Sequence, residues 1–265
     1  MFLSAINIYP IKSLKGIALT EAQIERRGLQ HDRRWMLVDR NNKFFTQREF
    51  PKLATIRIEI EPAGLKIDAA NKSSLFVPFA AKATSTAEVQ IWQNVCRGDF
   101  ISADADRWFS EVLDTDCRLV HMSNESLRPV DPDFAIADDI VSFADAYPFL
   151  VLTEASLTEL NSRLVQKVEM NRFRPNFVIS GAEPFAEDNW KRITIGETEF
   201  HITKPCARCV MTTVDQERGV KNGAEPLRTL ASFRTVQNKV LFGQNLLAMK
   251  AGATIRVGDE VTVRK

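Results

Sequence analysis

Residues 193–204 read ITIGETEFHITK, and this stretch decides the fold class. Isoleucine and phenylalanine alternate with polar residues on both sides of Gly196. Because successive side chains of a β-strand point to opposite faces of a sheet, such alternation is typical of strands with one buried face. The stretch therefore predicts β-structure.

The same alternation recurs along the chain, and most of these segments close with glycine, asparagine or aspartate. The further segments span residues 7–14, 33–39, 43–48, 54–61, 64–69, 118–122, 177–181 and 254–265. Their number favours barrel or sandwich β-structure. The predicted fold class is mixed α+β and predominantly β.

Two segments instead have the spacing of helices that bury one face. Residues 103–114 start at a capping residue, either Ser102 or Asp104, and residues 153–167 start at Thr153. Apolar side chains recur on one face of each segment, so we expect both helices to pack on a core.

The most plausible domain boundary lies near residues 95–120, where a β-rich part gives way to helix and then to strand. We place it between residues 118 and 119. The alanine-rich residues 80–90 are predicted to form a loop inside the first part. No repeat with a period of 20 to 50 residues indicates a solenoid or propeller.

The composition is that of an ordinary globular protein, with 45% hydrophobic and 26% charged residues among 265. The 35 lysines and arginines balance 34 acidic residues, so no net field favours nucleic acid or an anionic membrane. Residues 1–16 lack the pattern of a secretory leader, and no apolar run is long enough to cross a bilayer. We therefore expect a soluble cytoplasmic protein without nucleic-acid or membrane partners.

The segment KPCARCVMTTVD, residues 204–215, places two cysteines three positions apart. A thioredoxin-like redox pair needs a helix after it, but residues 210–214 are rich in β-branched side chains and predict a strand. Structural zinc needs four ligands, and the other cysteines and histidines are isolated in the sequence. Both of these interpretations are therefore weak.

Two interpretations of the cysteine pair remain open. Buried thiols can act as small apolar side chains in a core. Against this, the positive charges of Lys204 and Arg208 favour the thiolate form of a nearby cysteine, and a thiolate is a soft metal ligand.

Three other segments are basic and lie beside predicted strands: YPIKSLKG at 9–16, HDRRW at 31–35 and NRFRPN at 171–176. Each alone is typical of a solvated surface. Together they could hold an anion, because arginine binds phosphate in a bidentate manner and a serine hydroxyl adds a donor.

Motifs for dinucleotide, nucleotide, zinc-protease and serine-hydrolase sites are absent from the sequence. The acidic residues 131–148 lack the spacing of a calcium loop, so they predict a solvated loop.

The order of the motifs is similar to that of a known family. The motifs are YPIKSLKG, DRRW, LTEASLTELNSRL, NRFRPNFVISG, KPCARCVMTTVD, EPLRTLASFR, FGQNLLA and IRVGDEV. In this order they closely resemble the MOSC proteins of the amidoxime-reducing-component type, over essentially the whole chain. The resemblance implies an N-terminal MOSC-associated β-barrel domain over residues 1–118. It implies a MOSC domain, a second β-barrel with flanking helices, over residues 119–265.

The resemblance also implies a molybdenum enzyme. Members of the family bind a molybdenum cofactor of the molybdopterin type and reduce N-hydroxylated or N-oxygenated compounds such as amidoximes and hydroxylamines. One protein cysteine binds the metal. Aligned on the family's C-x-R-C pattern, this metal ligand and catalytic residue is Cys209, and Cys206 is its neighbour.

The cofactor-binding residues of the family carry over one at a time. Lys12 and Ser13 match its Y-P-x-K-S motif, Arg33 matches D-R-x-W, and Arg174 matches F-R-P-N. The resemblance implies that the three cations neutralise the cofactor phosphate.

Two positions depart from the family pattern. Asp145, Ala146 and Tyr147 stand where animal members read Asp-Thr-Ser, so only backbone contacts to the cofactor transfer there. Ala207 stands between the cysteines, where many relatives have serine, so the hydroxyl contact does not transfer.

Some bacterial relatives continue into a plant-type ferredoxin, whose cysteine run holds a 2Fe–2S cluster. This sequence has no such run, so we expect no iron–sulfur cluster in this chain. Electrons are then expected from a separate ferredoxin or flavoprotein reductase, unless the chain is a fragment. The alternative function is a sulfur or molybdenum cofactor carrier, since MOSC domains also end molybdenum cofactor sulfurases. The lack of a pyridoxal-phosphate domain in this sequence disfavours it.

Overall fold

The computed structural model describes residues 1–264, which form a predominantly β protein with three α-helices. The helices are α1 (Ala103–Leu113), α2 (Glu154–Ser162) and α3 (Leu227–Arg234). The strands, numbered β1 to β21 in chain order, are Phe2–Ile8, Ile17–Leu19, Glu21–Glu25, Gly28–Leu29, Trp35–Val38, Arg57–Glu61, Gly64–Asp68, Leu75–Pro78, Ser85–Ile91, Asn94–Phe100, Arg118–His121, Phe149–Thr153, Phe177–Ser180, Arg192–Ile195, Thr198–Ala207, Val214–Asp215, Val220–Lys221, Thr235–Val236, Lys239–Ala248, Thr254–Arg256 and Val261–Arg264. The predicted fold class is confirmed.

The largest sheet joins the two ends of the chain. Its strand order is β2-β1-β13-β12-β19-β15-β14-β21, and β18 also pairs with β19. All neighbours along this order run antiparallel except β12 and β13, which are parallel. The N-terminal strand β1 is therefore hydrogen-bonded into a sheet whose other long strands come from the second half of the chain.

The remaining strands form smaller sheets. One has the order β5-β11-β10-β9, another β6-β7-β8, another β20-β3-β4, and a short one pairs β16 with β17. A core of the N-terminal part packs α1 against β5 to β8, with Phe109 and Leu119 fully buried. A second core lies on the large sheet, where the ring centroids of Phe149, Phe177 and Phe200 lie within 5.5 Å of one another; Phe149 and Phe177 stack, and Phe200 packs edge-on against both.

Both predicted helices form, and their caps have the expected chemistry. Ser102 caps α1 by accepting a hydrogen bond from the backbone N–H of Ala105, and Thr153 caps α2 by accepting one from Ser156. Helix α2 ends at Ser162, which is shorter than the predicted 153–167. Helix α3 was not predicted.

Four local predictions are wrong. Residues 7–14 were expected to be a strand, but β1 ends at Ile8 and Ile11 makes only an isolated bridge. Residues 80–90 were expected to be a loop, but Ser85–Ile91 is the strand β9, paired along its whole length with β10. Residues 43–48 were expected to form a strand, but they make only isolated β-bridges, at Lys43 and Phe44. The β-branched run after the cysteines is a 3₁₀ turn over Val210–Thr213, because the Thr212 and Thr213 hydroxyls donate to carbonyls three residues back.

Further 3₁₀ turns cover Pro51–Thr55, Met170–Arg172 and Ala186–Asn189. Within residues 1–264 no helix is both long and apolar enough to span a bilayer.

Candidate functional site

One cavity gathers every site residue that the sequence predicted. The lining residues among them are Lys12, Ser13, Arg33, Asp145, Ala146, Tyr147, Arg174, Ala207 and Cys209. They come from segments that are far apart in the sequence. The fold therefore brings together positions that spacing alone could not connect, although their individual roles stay predictions.

The cavity residues sit mostly in irregular segments next to strands. Lys12 and Ser13 follow β1, Arg33 precedes β5, and Arg174 precedes β13. Cys209 lies just after β15 and starts the 3₁₀ turn Val210–Thr213. Functional residues commonly lie on loops that a rigid sheet holds in place, and this arrangement follows that rule.

Two arginines flank the ring of Tyr9. The guanidinium carbons of Arg33 and Arg174 lie 4.2 Å and 4.0 Å from its centroid, within the range of cation–π attraction. The Tyr9 hydroxyl donates to the carbonyl oxygen of Pro175 at 3.1 Å. Burial raises the pKa of Tyr9 to about 12 and lowers the pKa of Arg174 to about 10. At neutral pH the phenol is therefore neutral and the Arg174 guanidinium is charged.

Three of the predicted site residues have left-handed backbone conformations. Their φ angles are 69° at Ser13, 49° at Arg33 and 54° at Arg174. Such conformations cost non-glycine residues free energy, and they are concentrated at functional sites. Here the surrounding hydrogen bonds hold the backbone in this conformation.

Asp32 is the centre of the network that orients Arg33. Its carboxylate is buried and accepts hydrogen bonds from the backbone N–H of Tyr9 at 2.7 Å, from Arg33 Nη1 at 2.6 Å and from Asn176 Nδ2 at 3.2 Å. The Asn176 side chain also accepts from the backbone N–H of Leu150 at 3.2 Å. Asp32 therefore links β1, β12 and the segment before β13 at the cavity wall.

Lys12 and Asp145 form an ion pair in the cavity wall, with Nζ and Oδ1 2.6 Å apart. Burial lowers the pKa of Lys12 to about 8, although the Asp145 carboxylate partly opposes this shift. Burial by itself raises the pKa of Asp145, but the charge and hydrogen bond of Lys12, the charge of Arg48 and a hydrogen bond from Trp92 outweigh it. The pKa of Asp145 is therefore held well below its usual range.

The two cysteines contact different arginines. Sγ of Cys209 accepts hydrogen bonds from Arg48 Nε at 3.3 Å and Nη2 at 3.1 Å. Sγ of Cys206 accepts from Arg208 Nη1 at 2.9 Å. Lys204, expected to favour a thiolate, lies over the ring of Phe134 with Nζ 4.2 Å from the centroid.

Sequence reasoning missed Arg48. It lies in residues 43–48, which were predicted only as a strand, and no motif or spacing connects it with a cysteine 161 positions away. Arg208 was considered only as a charge near the thiols. Both guanidinium groups line the cavity.

The cavity wall carries a strong excess of positive charge. Its cations are Lys12, Arg33, Arg48, Arg174 and Arg208, whereas Asp145 is its only carboxylate among residues 1–264. Nη2 of Arg174 and Nε of Arg208 are buried and have no hydrogen-bond partner in this part of the chain. Unpaired buried donors are rare in proteins. The wall therefore fits an anionic ligand such as a phosphate group.

Zinc has little support from the geometry. Cys96 and Cys117 lie in two separate hydrophobic cores. No group of three or more histidine, cysteine or acidic side chains within residues 1–264 could hold a metal ion. A metal at Cys209 would thus need further ligands from a cofactor.

Comparison with known families decides the relationship. Residues 1–116 match the MOSC N-terminal beta barrel domain, and residues 138–262 match the MOSC domain. The chain belongs to the MOSC family. The matched ranges leave residues 117–137 between them, and the exact domain boundary near residue 118 stays a prediction.

Curated relatives of this MOSC protein align over nearly its whole length. Mitochondrial amidoxime-reducing component 1 is 38% identical in Mus musculus and 36% identical in Homo sapiens, with 96% of this chain covered and 79% and 80% of the relatives. A molybdenum cofactor sulfurase of Arabidopsis thaliana is 32% identical over 98% of this chain but only 35% of its own length. The resemblance found in the sequence is confirmed, and the family relationship associates this chain with molybdenum cofactor.

Two positions that depart from the family pattern in this MOSC protein, Tyr147 and Ala207, are held by contacts outside any cofactor. The Tyr147 side chain packs with Phe134 and Val130 in a small core, and its hydroxyl is buried. Burial raises the pKa of Tyr147 to about 12. The backbone of Ala207 pairs with Leu241 at the end of β15. Ala207 has no hydroxyl to offer the cavity, whereas the buried Tyr147 hydroxyl has no hydrogen-bond partner within residues 1–264.

Proposed function

We propose that this protein is a molybdenum cofactor-dependent reductase of N-hydroxylated and N-oxygenated compounds, such as amidoximes and hydroxylamines. The observation that carries the proposal is the convergence of Cys209 with five cations on one cavity. The relatives named as amidoxime-reducing components support the substrate class.

Each residue of the cavity has a distinct proposed role. Sγ of Cys209 binds molybdenum, and Arg48 stabilises this sulfur as a thiolate through two hydrogen bonds. Arg174, whose Nη2 is buried without a partner in residues 1–264, donates to the phosphate of the molybdopterin-type cofactor. Arg33 adds charge at the same wall, oriented by Asp32.

The remaining predicted residues shape the binding surface. Lys12 is fixed by the carbonyl oxygen of Phe143 at 2.8 Å and by Asp145, which places its ammonium in the wall. Ser13 donates to the carbonyl of Phe45 at 3.3 Å, so its hydroxyl holds the left-handed turn. Residues 145–147 and Ala207 offer backbone N–H and carbonyl groups to the cofactor.

The cofactor, when bound, supplies two-electron chemistry and accepts an oxygen atom. Reduction of an amidoxime to an amidine consumes two electrons and two protons, breaks the N–O bond and releases one water. The protein positions the substrate and supplies the charged groups around it. We propose that a separate ferredoxin or flavoprotein reductase delivers the electrons, because the four cysteines of this chain are divided between two cores and the cavity.

Metal content and turnover together test the proposal. The protein is produced in a host that makes molybdenum cofactor, its molybdenum is quantified, and reduction of an aryl amidoxime is followed with an artificial electron donor. We expect stoichiometric molybdenum and amidine formation. Full turnover with NADH and no added protein would contradict the separate donor.

The cysteine pair provides a matched comparison within this test. Cys209→Ala is expected to lose both molybdenum and activity, whereas Cys206→Ala is expected to keep them. If Cys209→Ala retained both, the metal-ligand assignment would be wrong. If only Cys206→Ala lost them, the two cysteines would exchange roles.

The second candidate function is a carrier of sulfur or molybdenum cofactor. It is favoured by the similarity to a molybdenum cofactor sulfurase over 98% of this chain. A carrier would bind molybdenum cofactor and release it to an acceptor apoenzyme without reducing amidoximes. Transfer of cofactor, measured beside amidoxime turnover in the same preparation, separates the two functions.

A further inference from the structure

A second cavity, of about 960 Å³, lies beside the cofactor cavity and shares part of its wall. The shared residues are Phe44, Thr46, Arg48, Asp145 and Ala146. Its volume is in the range of sites for drug-sized molecules. A small molecule in this second cavity would therefore lie next to the groups that surround Cys209.

The charge of the second cavity differs from that of the first. Its lining includes Lys43 and Arg48 against Glu49, Asp131 and Asp145. The cofactor cavity has five cations and one carboxylate. The excess positive charge is thus confined to the first cavity, so the second suits an uncharged molecule and tolerates a cationic product such as an amidine.

Trp92 is the largest of the apolar side chains that line the second cavity. It lies in the turn between β9 and β10, its side chain is 42% exposed, and its φ angle of 54° is unfavourable for a bulky residue. Large exposed aromatic rings in strained backbone are unusual in a turn. The free-energy cost of this backbone conformation and of the exposed ring is expected where the ring has a function.

Three contacts fix the orientation of the Trp92 indole. Its Nε1 donates to Asp145 Oδ1 at 3.2 Å, Phe44 packs edge-on at 4.8 Å between centroids, and the Arg48 guanidinium carbon lies 4.3 Å from the ring centroid. Arg48 in turn contacts Cys209 Sγ at 3.1 Å. The indole is thus one side chain away from the proposed metal ligand.

We propose that the second cavity is the substrate chamber and that Trp92 is its specificity-determining residue, selecting flat, conjugated N-hydroxylated substrates by stacking. The inference rests on the proposed reductase function. Aromatic rings stack on flat conjugated groups with a defined geometry that a flexible alkyl chain does not match. Trp92 therefore favours aryl over alkyl amidoximes.

The test compares an aryl and an alkyl amidoxime on molybdenum-loaded wild-type protein, Trp92→Ala and Trp92→Phe. For Trp92→Ala we expect the KM ratio of aryl to alkyl substrate to rise about tenfold, the scale of a lost aromatic pair. Trp92→Phe keeps a stacking ring and should keep most of the preference. Trp108→Phe is the control, because Trp108 bonds to Ser73 outside both cavities.

A binding measurement without turnover accompanies the kinetics. The aryl amidoxime is titrated into each protein while tryptophan fluorescence is recorded, and molybdenum content is measured in parallel. We expect saturable quenching in wild-type protein and in Trp108→Phe, and its loss in Trp92→Phe. An unchanged KM ratio in Trp92→Ala at wild-type molybdenum content, or unchanged quenching in Trp92→Phe, overturns the assignment.

The two proposals fail in different ways. If loaded wild-type protein reduces neither amidoxime, the reductase function is wrong. The quenching experiment still decides the chamber in that case: quenching by the aryl amidoxime that requires Trp92 supports it, and quenching that is independent of Trp92 or absent refutes it.

Discussion

The guanidinium of Arg48 donates two hydrogen bonds to Sγ of Cys209, from Nε at 3.3 Å and from Nη2 at 3.1 Å. The same guanidinium lies 4.3 Å from the centroid of the Trp92 ring. Arg48 thus connects the proposed metal ligand with the proposed substrate chamber. A charged donor pair of this kind stabilises a negatively charged sulfur.

Replacing Arg48 tests this connection. Arg48→Ala removes two charge-assisted hydrogen bonds, each of the kind worth about 1.5–3 kcal/mol. We expect kcat/KM for an amidoxime to fall about 10- to 100-fold, with a smaller fall in molybdenum content. Steady-state kinetics, normalised to molybdenum content, measure the change in kcat/KM.

Two further variants control the Arg48 experiment. Arg48→Lys keeps the charge but cannot donate in the planar bidentate manner, so its activity should be intermediate. Arg107→Ala removes an exposed guanidinium on α1 and should behave as wild type. Equal activity of wild type and Arg48→Ala would show that the contact is not functional.

Arg174→Ala should weaken cofactor retention before it damages the fold. The substitution removes a buried donor that has no partner within residues 1–264 and whose neighbour Nη1 donates to the Leu14 carbonyl at 2.8 Å. We expect lower molybdenum content after gel filtration, with little change in far-UV circular dichroism. Arg174→Lys should retain an intermediate amount.

Arg174→Gly separates backbone from side-chain effects. Glycine adopts the φ of 54° without a steric penalty, whereas alanine does not. We expect Arg174→Gly to have a free energy of unfolding about 1 kcal/mol higher than Arg174→Ala, with equal loss of molybdenum. If either variant retained its molybdenum, the assignment of Arg174 to the phosphate site would be wrong.

Asp32→Ala should be strongly destabilising. Its loss leaves the Arg33 charge uncompensated and the Tyr9 N–H unpaired, and breaking a buried ion pair costs about 3–5 kcal/mol. Urea denaturation measures the change. Glu59→Ala is the control, since the Glu59 to Lys66 pair is exposed to solvent and screened, and it contributes little to stability. Similar effects of the two substitutions would contradict the role of Asp32.

Binding of inorganic phosphate to cofactor-free protein should depend on pH through Lys12. Burial lowers the Lys12 pKa to about 8 while Asp145 partly opposes this, and Arg128 and Arg33 lower it further. Below about pH 8 the ammonium is charged and attracts an anion; above it the charge is lost, so affinity should fall. Calorimetric titrations from pH 7 to pH 9.5 follow the change.

Lys12→Arg provides the comparison for the pH experiment. A guanidinium stays charged throughout this range, so the affinity of this variant should vary less with pH. A wild-type affinity that is constant between pH 7 and pH 9.5 would exclude Lys12 as the titrating group.

Local sequence patterns predicted the elements that local chemistry controls. The alternation over residues 193–204 predicted β-structure, which forms the hairpin of Arg192–Ile195 and Thr198–Ala207, and the candidate caps Ser102 and Thr153 lie at the starts of α1 and α2. These features depend on neighbours a few residues apart. Strand β9 was missed because residues 80–90 are rich in alanine, which has low β-propensity, and pairing with β10 overrides it.

The resemblance of the motif order to a known family was enough to identify that family. It also selected Cys209, Lys12, Arg33 and Arg174 as candidate site residues. The tertiary structure alone decided which groups meet. Arg48 contacts Cys209, Asn176 donates a hydrogen bond to Asp32, and Trp92 lines a second cavity beside the cationic one. Side-chain hydrogen bonds act over about 3 Å, and only chain folding brings residues more than a hundred positions apart to that distance.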